Sequence, residues 1–262
     1  MTAARRARHW ALRLVVVLLG LVLLTMAAFL GWSRIGIMDA EPASLRAVAE
    51  DPAISIAETD SAFVLQPAET GPVGTGLVFY PGAKVEADAY AARLADLVSE
   101  QGMTVVIVKP WLHLALFDRR DLGTFTEDFA EIDTWIVGGH SMGGVRACQV
   151  ASDADALLLL GSYCANDLTE SGLPVLSLGG SEDGLSTPEK IADARDLLPA
   201  GATMVQIDGA SHASFGNYGP QDGDGTASIS DEEMDAVLAA EVGELASALD
   251  QLAGQPSRFA TA

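Results

Sequence analysis

Two glycines flanking a serine, in the run Gly139-His140-Ser141-Met142-Gly143-Gly144, constrain this chain more than any other feature. The run follows the apolar segment Thr134-Trp135-Ile136-Val137 and precedes a helix-like stretch from Val145 to Ser152. A tight turn between a strand and a helix forces its central residue into a strained backbone conformation. Neighbouring Cβ atoms would collide there, which glycines at 139 and 143 avoid. The serine Oγ then stands clear of the backbone at the end of a sheet. The helix that follows points its free N–H groups and positive dipole end toward any negative charge developing nearby. Gly-x-Ser-x-Gly in this setting reads as a nucleophile elbow.

Five letters recur by chance, so the reading requires partners, in the order acid and then histidine. The strand-like run Pro174-Val175-Leu176-Ser177-Leu178-Gly179-Gly180 ends in Ser181-Glu182-Asp183-Gly184, which places Asp183 on the loop beyond a strand. Glu182 competes with it, but the shorter carboxylate suits the turn before Gly184. A later strand-like run, Ala202 to Asp208, leads into Gly209-Ala210-Ser211-His212. Ser141, Asp183 and His212 therefore fall in the required order, each past the carboxyl end of its own strand. Of the other three histidines, His9 lies before an apolar run at the N-terminus and His140 precedes the serine, so that its ring points away from Oγ. His113 follows the fourth strand and reads as a loop histidine. His212 is the expected base, Ser141 the nucleophile and Asp183 the group that orients the imidazole.

Strand and helix alternate along the chain. Ile54–Ala57 and Ala62–Leu65 read as an antiparallel pair, followed by strands at Gly76–Tyr80, Thr104–Val108, Thr134–Val137, Ala156–Leu160, Pro174–Leu178 and Thr203–Ile207. Amphipathic helix is expected over Glu86–Gln101, helix in or near Thr124–Ile132, and a final helix over Asp231–Leu252, opened by a Ser230/Glu233 capping box. This pattern implies an α/β fold with a mostly parallel sheet flanked by helices. Sites on such sheets lie beyond the carboxyl ends of the strands, where the three candidates fall.

On these residues, together with Phe79-Tyr80-Pro81-Gly82-Ala83 as an oxyanion strand-loop, the chain resembles the α/β-hydrolase superfamily over residues 54 to 252. Within it the likeness is to small, lidless serine hydrolases related to dienelactone hydrolases and bacterial esterases, of the α/β-hydrolase fold-5 type. His212-Ala213-Ser214-Phe215-Gly216-Asn217-Tyr218-Gly219 resembles the tail of one hydrolase subfamily. The chain departs from many esterases in having Pro81-Gly82 where a His-Gly-Gly would stand. The resemblance implies cleavage of a small-molecule carboxylic ester or related acyl bond through an acyl-enzyme, with no metal and no organic cofactor. It implies an oxyanion hole built from the backbone amides of Met142 and Ala83, with Gly82 the neighbouring alternative. Only about 13 residues separate the sixth strand from the acid-bearing one, where relatives insert a cap, so no large cap domain is expected. An acyltransferase using the same three residues, and a catalytically silent binding protein, are the alternatives.

The N-terminus adds a second layer. No charged residue occurs from Leu14 to Trp32, and a helix from Trp10 to Trp32 would rise about 33 Å, against a hydrocarbon core of about 30 Å. Arg5, Arg6, Arg8 and Arg13 precede this run and only Arg34 lies just after it, which places the N-terminus in the cytoplasm and the remainder outside. The expected organisation is a basic cytoplasmic segment over 1–13, a transmembrane helix over 14–32, a membrane-proximal connector over 33–53, a catalytic domain over 54–252 and a tail over 253–262. A signal peptide cleaved near Met38-Asp39-Ala40, releasing a secreted domain, is the alternative. Beyond residue 34 the chain holds 10 basic and 36 acidic residues, a surface that repels nucleic acid and anionic lipid. Cys148 and Cys164 are either a disulfide, which an exported domain permits, or two buried thiols. Asp222, Asp224 and Glu233 match positions 1, 3 and 12 of a calcium loop, but Ala227 occupies the sixth position, where an EF-hand needs glycine. Turn-forming Asp-Gly pairs explain that segment better.

Overall fold

A computed structural model describes residues 3–69 and 74–253. The chain divides into two units, Met1–Ile37 and Met38–Ala262. The first carries α1 (Ala3–Trp32), whose stretch Arg8–Trp32 is long and apolar enough to cross a membrane. Its side chains from Trp10 to Leu24 are exposed, Leu24 at 67%. An uncovered apolar surface of that length has an unfavourable free energy in water at every turn.

The second unit is built on one eight-stranded sheet. Its strands are β1 (Ile54–Glu58), β2 (Ala62–Pro67), β3 (Thr75–Tyr80), β4 (Thr104–Val108), β5 (Thr134–His140), β6 (Ala156–Leu160), β7 (Val175–Gly180) and β8 (Thr203–Ile207), in spatial order β1-β2-β4-β3-β5-β6-β7-β8. β2 runs antiparallel to β1 and β4, and the rest of the sheet is parallel. All eight expected strands are present. Near-continuous Val, Leu and Ile runs in β3 to β6 follow from burial on both faces, as parallel sheets require. Phe79, Val105, Ile107, Leu158 and Leu160 pack on one side with Tyr90, Leu94, Met234, Leu238 and Val242. Val78, Tyr80, Val106, Leu157 and Leu159 pack on the other with Phe125, Ala147 and Val150. The period of two along each strand thus divides the core into two layers.

Helices cover both faces: α2 (Pro42–Glu50), α3 (Ala95–Ser99), α4 (Gly123–Thr126), α5 (Met142–Val150), α6 (Pro188–Asp193) and α7 (Asp231–Ala253). α2 contributes Val48 to the core. α7 opens with the expected box, Ser230 Oγ accepting from the Glu233 amide at 3.2 Å and donating to Glu233 Oε2 at 2.8 Å.

Two helices differ from expectation. Glu86–Gln101 forms a 3-10 turn over Ala87–Tyr90 and only later the short α3. Ala87, Ala89, Tyr90, Ala91, Arg93 and Leu94 are all buried, a wider inward face than one stripe of an amphipathic helix supplies. Arg93 is held inside by Asp231 and Asp235 of α7. Over 124–132 only the four-residue α4 forms, and Phe125 is its buried anchor. Among the described residues no cap domain interrupts the passage from β6 to β7.

Cys148 of α5 and Cys164, beyond β6, form a disulfide with Cα atoms 5.6 Å apart and a sequence separation of 16. Closing a loop of this size stabilises a fold by about 3 kcal/mol, chiefly through the unfolded chain. The Cys148→Ala/Cys164→Ala double variant is expected to unfold at a Tm lower by roughly 5–10 °C, as read by scanning calorimetry in detergent. An unchanged Tm would mean the bridge constrains nothing in the unfolded chain.

Candidate active site

Ser141 closes β5 and caps α5 with φ 52° and ψ −124°. Such a positive φ is strained for serine and persists only when the surroundings enforce it. They do so by close packing. A Cβ on Gly143 would stand 2.0 Å from the Tyr80 carbonyl oxygen, and one on Gly139 would stand 2.4 Å from the Gly143 carbonyl carbon. The Ser162 hydroxyl donates to the Ser141 carbonyl at 2.6 Å, and the Ser141 amide donates to the Leu160 carbonyl at 3.0 Å. The Ser141 side chain makes no capping bond to α5, so its hydroxyl is not spent on the helix.

Asp183 lies on the loop after β7 and His212 on the loop after β8, both buried. His212 Nδ1 lies 2.8 Å from Asp183 Oδ2. Asp183 Oδ1 accepts from the Leu185 amide at 2.8 Å and the Ser186 amide at 2.7 Å. With both oxygens accepting, the carboxylate takes the Nδ1 proton of His212 as its donor and leaves Nε2 as the ring's acceptor. Glu182 is exposed, the alternate acid turned to solvent. The His212 ring lies 4.4 Å, centroid to centroid, from that of His140, the residue before Ser141.

The loop after β3 completes the setting. The Gly82 amide donates to the Tyr90 hydroxyl at 2.9 Å. Among the described residues the Ala83 amide carries no hydrogen bond, and the Met142 amide, first in α5, has no partner within its helix. Of the two neighbouring candidates on this loop, Ala83 is the one with a free donor.

Other singled-out residues brace loops. His113, at φ 55°, accepts the Lys84 amide through its carbonyl at 2.8 Å and places Nε2 3.0 Å from Glu86 Oε1. Trp111 is 52% exposed, with the Arg120 guanidinium 5.9 Å from its ring, whereas Leu114 is buried. The Tyr218 hydroxyl donates to Gln221 Oε1 at 3.2 Å, and the Asn217 backbone bonds Ala89 and Glu41.

Asp224, which the sequence offers only as a turn residue, does more than form a turn. Its Oδ1 accepts from the amides of Gly184 at 3.1 Å, His212 at 2.9 Å and Gly225 at 2.7 Å, and its Oδ2 from Ala213 at 2.8 Å. One carboxylate thereby joins the Asp183 loop to the His212 loop. The Asp-Gly-Asp-Gly segment was its visible signal, but the four amides that choose Asp224 are dispersed along the chain. Partial burial raises its carboxyl pKa, yet the four amides outweigh burial and hold it below the ordinary 3.8.

The model of the alpha/beta hydrolase family matches residues 76–236. The fold is also similar to two solved structures. Est1E from Butyrivibrio proteoclasticus has a TM-score of 0.53 and 11% identity, covering 76% of this chain and 99% of that one. TT1662 from Thermus thermophilus has a TM-score of 0.52 and 14% identity, covering 73% and 97%. No curated protein matches the chain in sequence.

Asp224 yields a pH prediction. A carboxyl whose folded pKa is depressed contributes stability above its unfolded value and loses it as pH falls through the folded value. The parent is expected to lose Tm progressively below about pH 4. Asp224→Asn should start from a lower Tm at neutral pH and show a shallower acid decline. Parallel Tm–pH curves for the two proteins would refute the role given to this carboxylate.

Proposed function

The chain belongs to the alpha/beta hydrolase family, and on that premise we propose that it is a membrane-anchored serine hydrolase cleaving a carboxylic ester or related acyl bond. The observation that carries this reading is the buried Asp183–His212 contact of 2.8 Å, set beside a serine held at positive φ. Ser141 acts as nucleophile. As its Oγ bonds to the acyl carbon, His212 Nε2 takes the hydroxyl proton, and Asp183 holds Nδ1–H and stabilises the imidazolium. The carbonyl oxygen, now negative, takes hydrogen bonds from the Met142 and Ala83 amides at the positive end of α5. Collapse breaks the bond to the leaving oxygen, which receives the proton from His212. Water then repeats the sequence: it gives its proton to His212, attacks the acyl carbon and releases the acid, and the proton returns to Ser141 Oγ.

Three features support the anchored, outward-facing arrangement. α1 has the length and composition of a membrane span. Four arginines precede its apolar run and one follows closely, which by the positive-inside rule leaves the following domain outside. The Cys148–Cys164 disulfide suits an oxidising compartment. The organisation is an anchor over 14–32, a connector and a catalytic domain ending near residue 252. The substrate is a small molecule reached from an uncapped face.

A p-nitrophenyl ester chain-length series should be turned over by the parent, with Ser141→Ala losing kcat by on the order of 10⁶-fold. A fluorophosphonate should label the parent and spare the variant. A folded parent that neither turns over esters nor takes the label would be a silent binding protein. In membrane fractions, the protein should resist alkaline carbonate and require detergent for release. A mature N-terminus near residue 40 in the soluble fraction would instead establish cleavage and secretion.

A further inference from the structure

The oxyanion loop and the two histidines are joined by a buried chain of groups that the proposed reaction does not itself use. The Tyr90 side chain is fully buried, and its hydroxyl has two neighbours. It accepts the Gly82 amide at 2.9 Å and lies 2.9 Å from His140 Nδ1. A tyrosine hydroxyl has one hydrogen. With the Gly82 N–H on one lone pair, sending that hydrogen to His140 Nδ1 leaves no buried donor of Tyr90 unpaired, and it takes Nδ1 as the unprotonated ring nitrogen. The His140 proton therefore sits on Nε2. Nε2 is buried, with the His212 backbone beside it.

The His140 ring is buried. Burial, and then the proximity of His212, hold its pKa well below 6.5, so it stays neutral. The Tyr90 ring is fixed independently of its hydroxyl, with Phe79 at 5.0 Å and Tyr218 at 6.2 Å between centroids. The hydroxyl is thus held on a rigid support, and what it holds is the amide next to Ala83.

We propose that Tyr90 is a positioning residue for the oxyanion hole: by binding the Gly82 amide, and by being oriented itself through His140 Nδ1, it turns the Ala83 amide toward the acyl oxygen. The inference rests on the serine-hydrolase reading of the site. Two consequences follow. Gly82 cannot serve as the donor, since its N–H is committed. His140, although next to the nucleophile and against the His212 ring, works through Tyr90 and the loop after β3. The effect belongs to the transition state, because the negative oxygen develops only there.

The test uses the full chain in detergent. Tyr90→Phe keeps the ring contacts and removes only the hydroxyl. Its kcat on a p-nitrophenyl ester is expected to fall by on the order of 10–100-fold, with KM close to the parent's. His140→Gln, whose side-chain oxygen also accepts from Tyr90, should keep most of the activity, whereas His140→Leu should behave like Tyr90→Phe. Selective ¹⁵N labelling of histidine, compared between the parent and His140→Gln, should show His140 with an unprotonated Nδ1. An unchanged kcat in Tyr90→Phe, a loss confined to KM, or a proton on His140 Nδ1 would each overturn the proposal while leaving Ser141 chemistry standing. A parent that fails to label with fluorophosphonate would instead overturn the hydrolase reading, and this inference with it.

Discussion

The approach of Gly143 to the end of β3 is the contact on which the remaining geometry depends. No other residue type fits there, because a Cβ would overlap the carbonyl oxygens of Tyr80 and Pro81. That closeness brings the first turn of α5 against the end of β3 and the start of the loop that carries Gly82 and Ala83. It also leaves Ser141 no ordinary backbone conformation. The strain at the serine is thus the local cost of packing a helix start directly on a neighbouring strand end.

Around that contact two carboxylates organise the polar groups. Asp183 divides its oxygens between its own loop and His212. Asp224 gives its oxygens to four amides that span two loops. In a weakly polar interior each satisfied acceptor fixes a direction as well as an energy. The Asp183 and His212 loops are tied together by a second carboxylate, Asp224, which accepts from backbone amides on both.

What the sequence makes legible, and what it hides, follows from the range of the interactions. The serine turn is visible because the glycines that answer its steric demand lie within five residues of one another, although Gly143 meets carbonyls as distant as those of Tyr80 and Pro81. The positions of Asp183 and His212 are visible because each follows a strand whose apolar run is unmistakable. Asp224 and Tyr90 act over distance: Asp224 meets Gly184 across 40 positions, and Tyr90 meets His140 across 50. No local pattern encodes such a meeting. The same cause bears on the shortened helix at 86–101. An amphipathic helix is the local reading, but Tyr90 and Arg93 are turned inward to partners far along the chain, and the segment opens with a 3-10 turn. The cysteines lay between these cases, their neighbourhood predictable from the fold and their covalent state not.

The disulfide has a consequence for when the elbow becomes complete. Cys164 stands two residues past Ser162, whose hydroxyl secures the carbonyl of Ser141, and Cys148 stands on the helix that Ser141 begins. Oxidation therefore clamps the turn from both sides. On the proposed topology the ribosome releases a chain with two thiols, and the bridge forms only after the domain has crossed the bilayer. Maturation of the turn is then a record of transit: a copy retained in the reducing cytoplasm has the same sequence but lacks the covalent brace behind its serine.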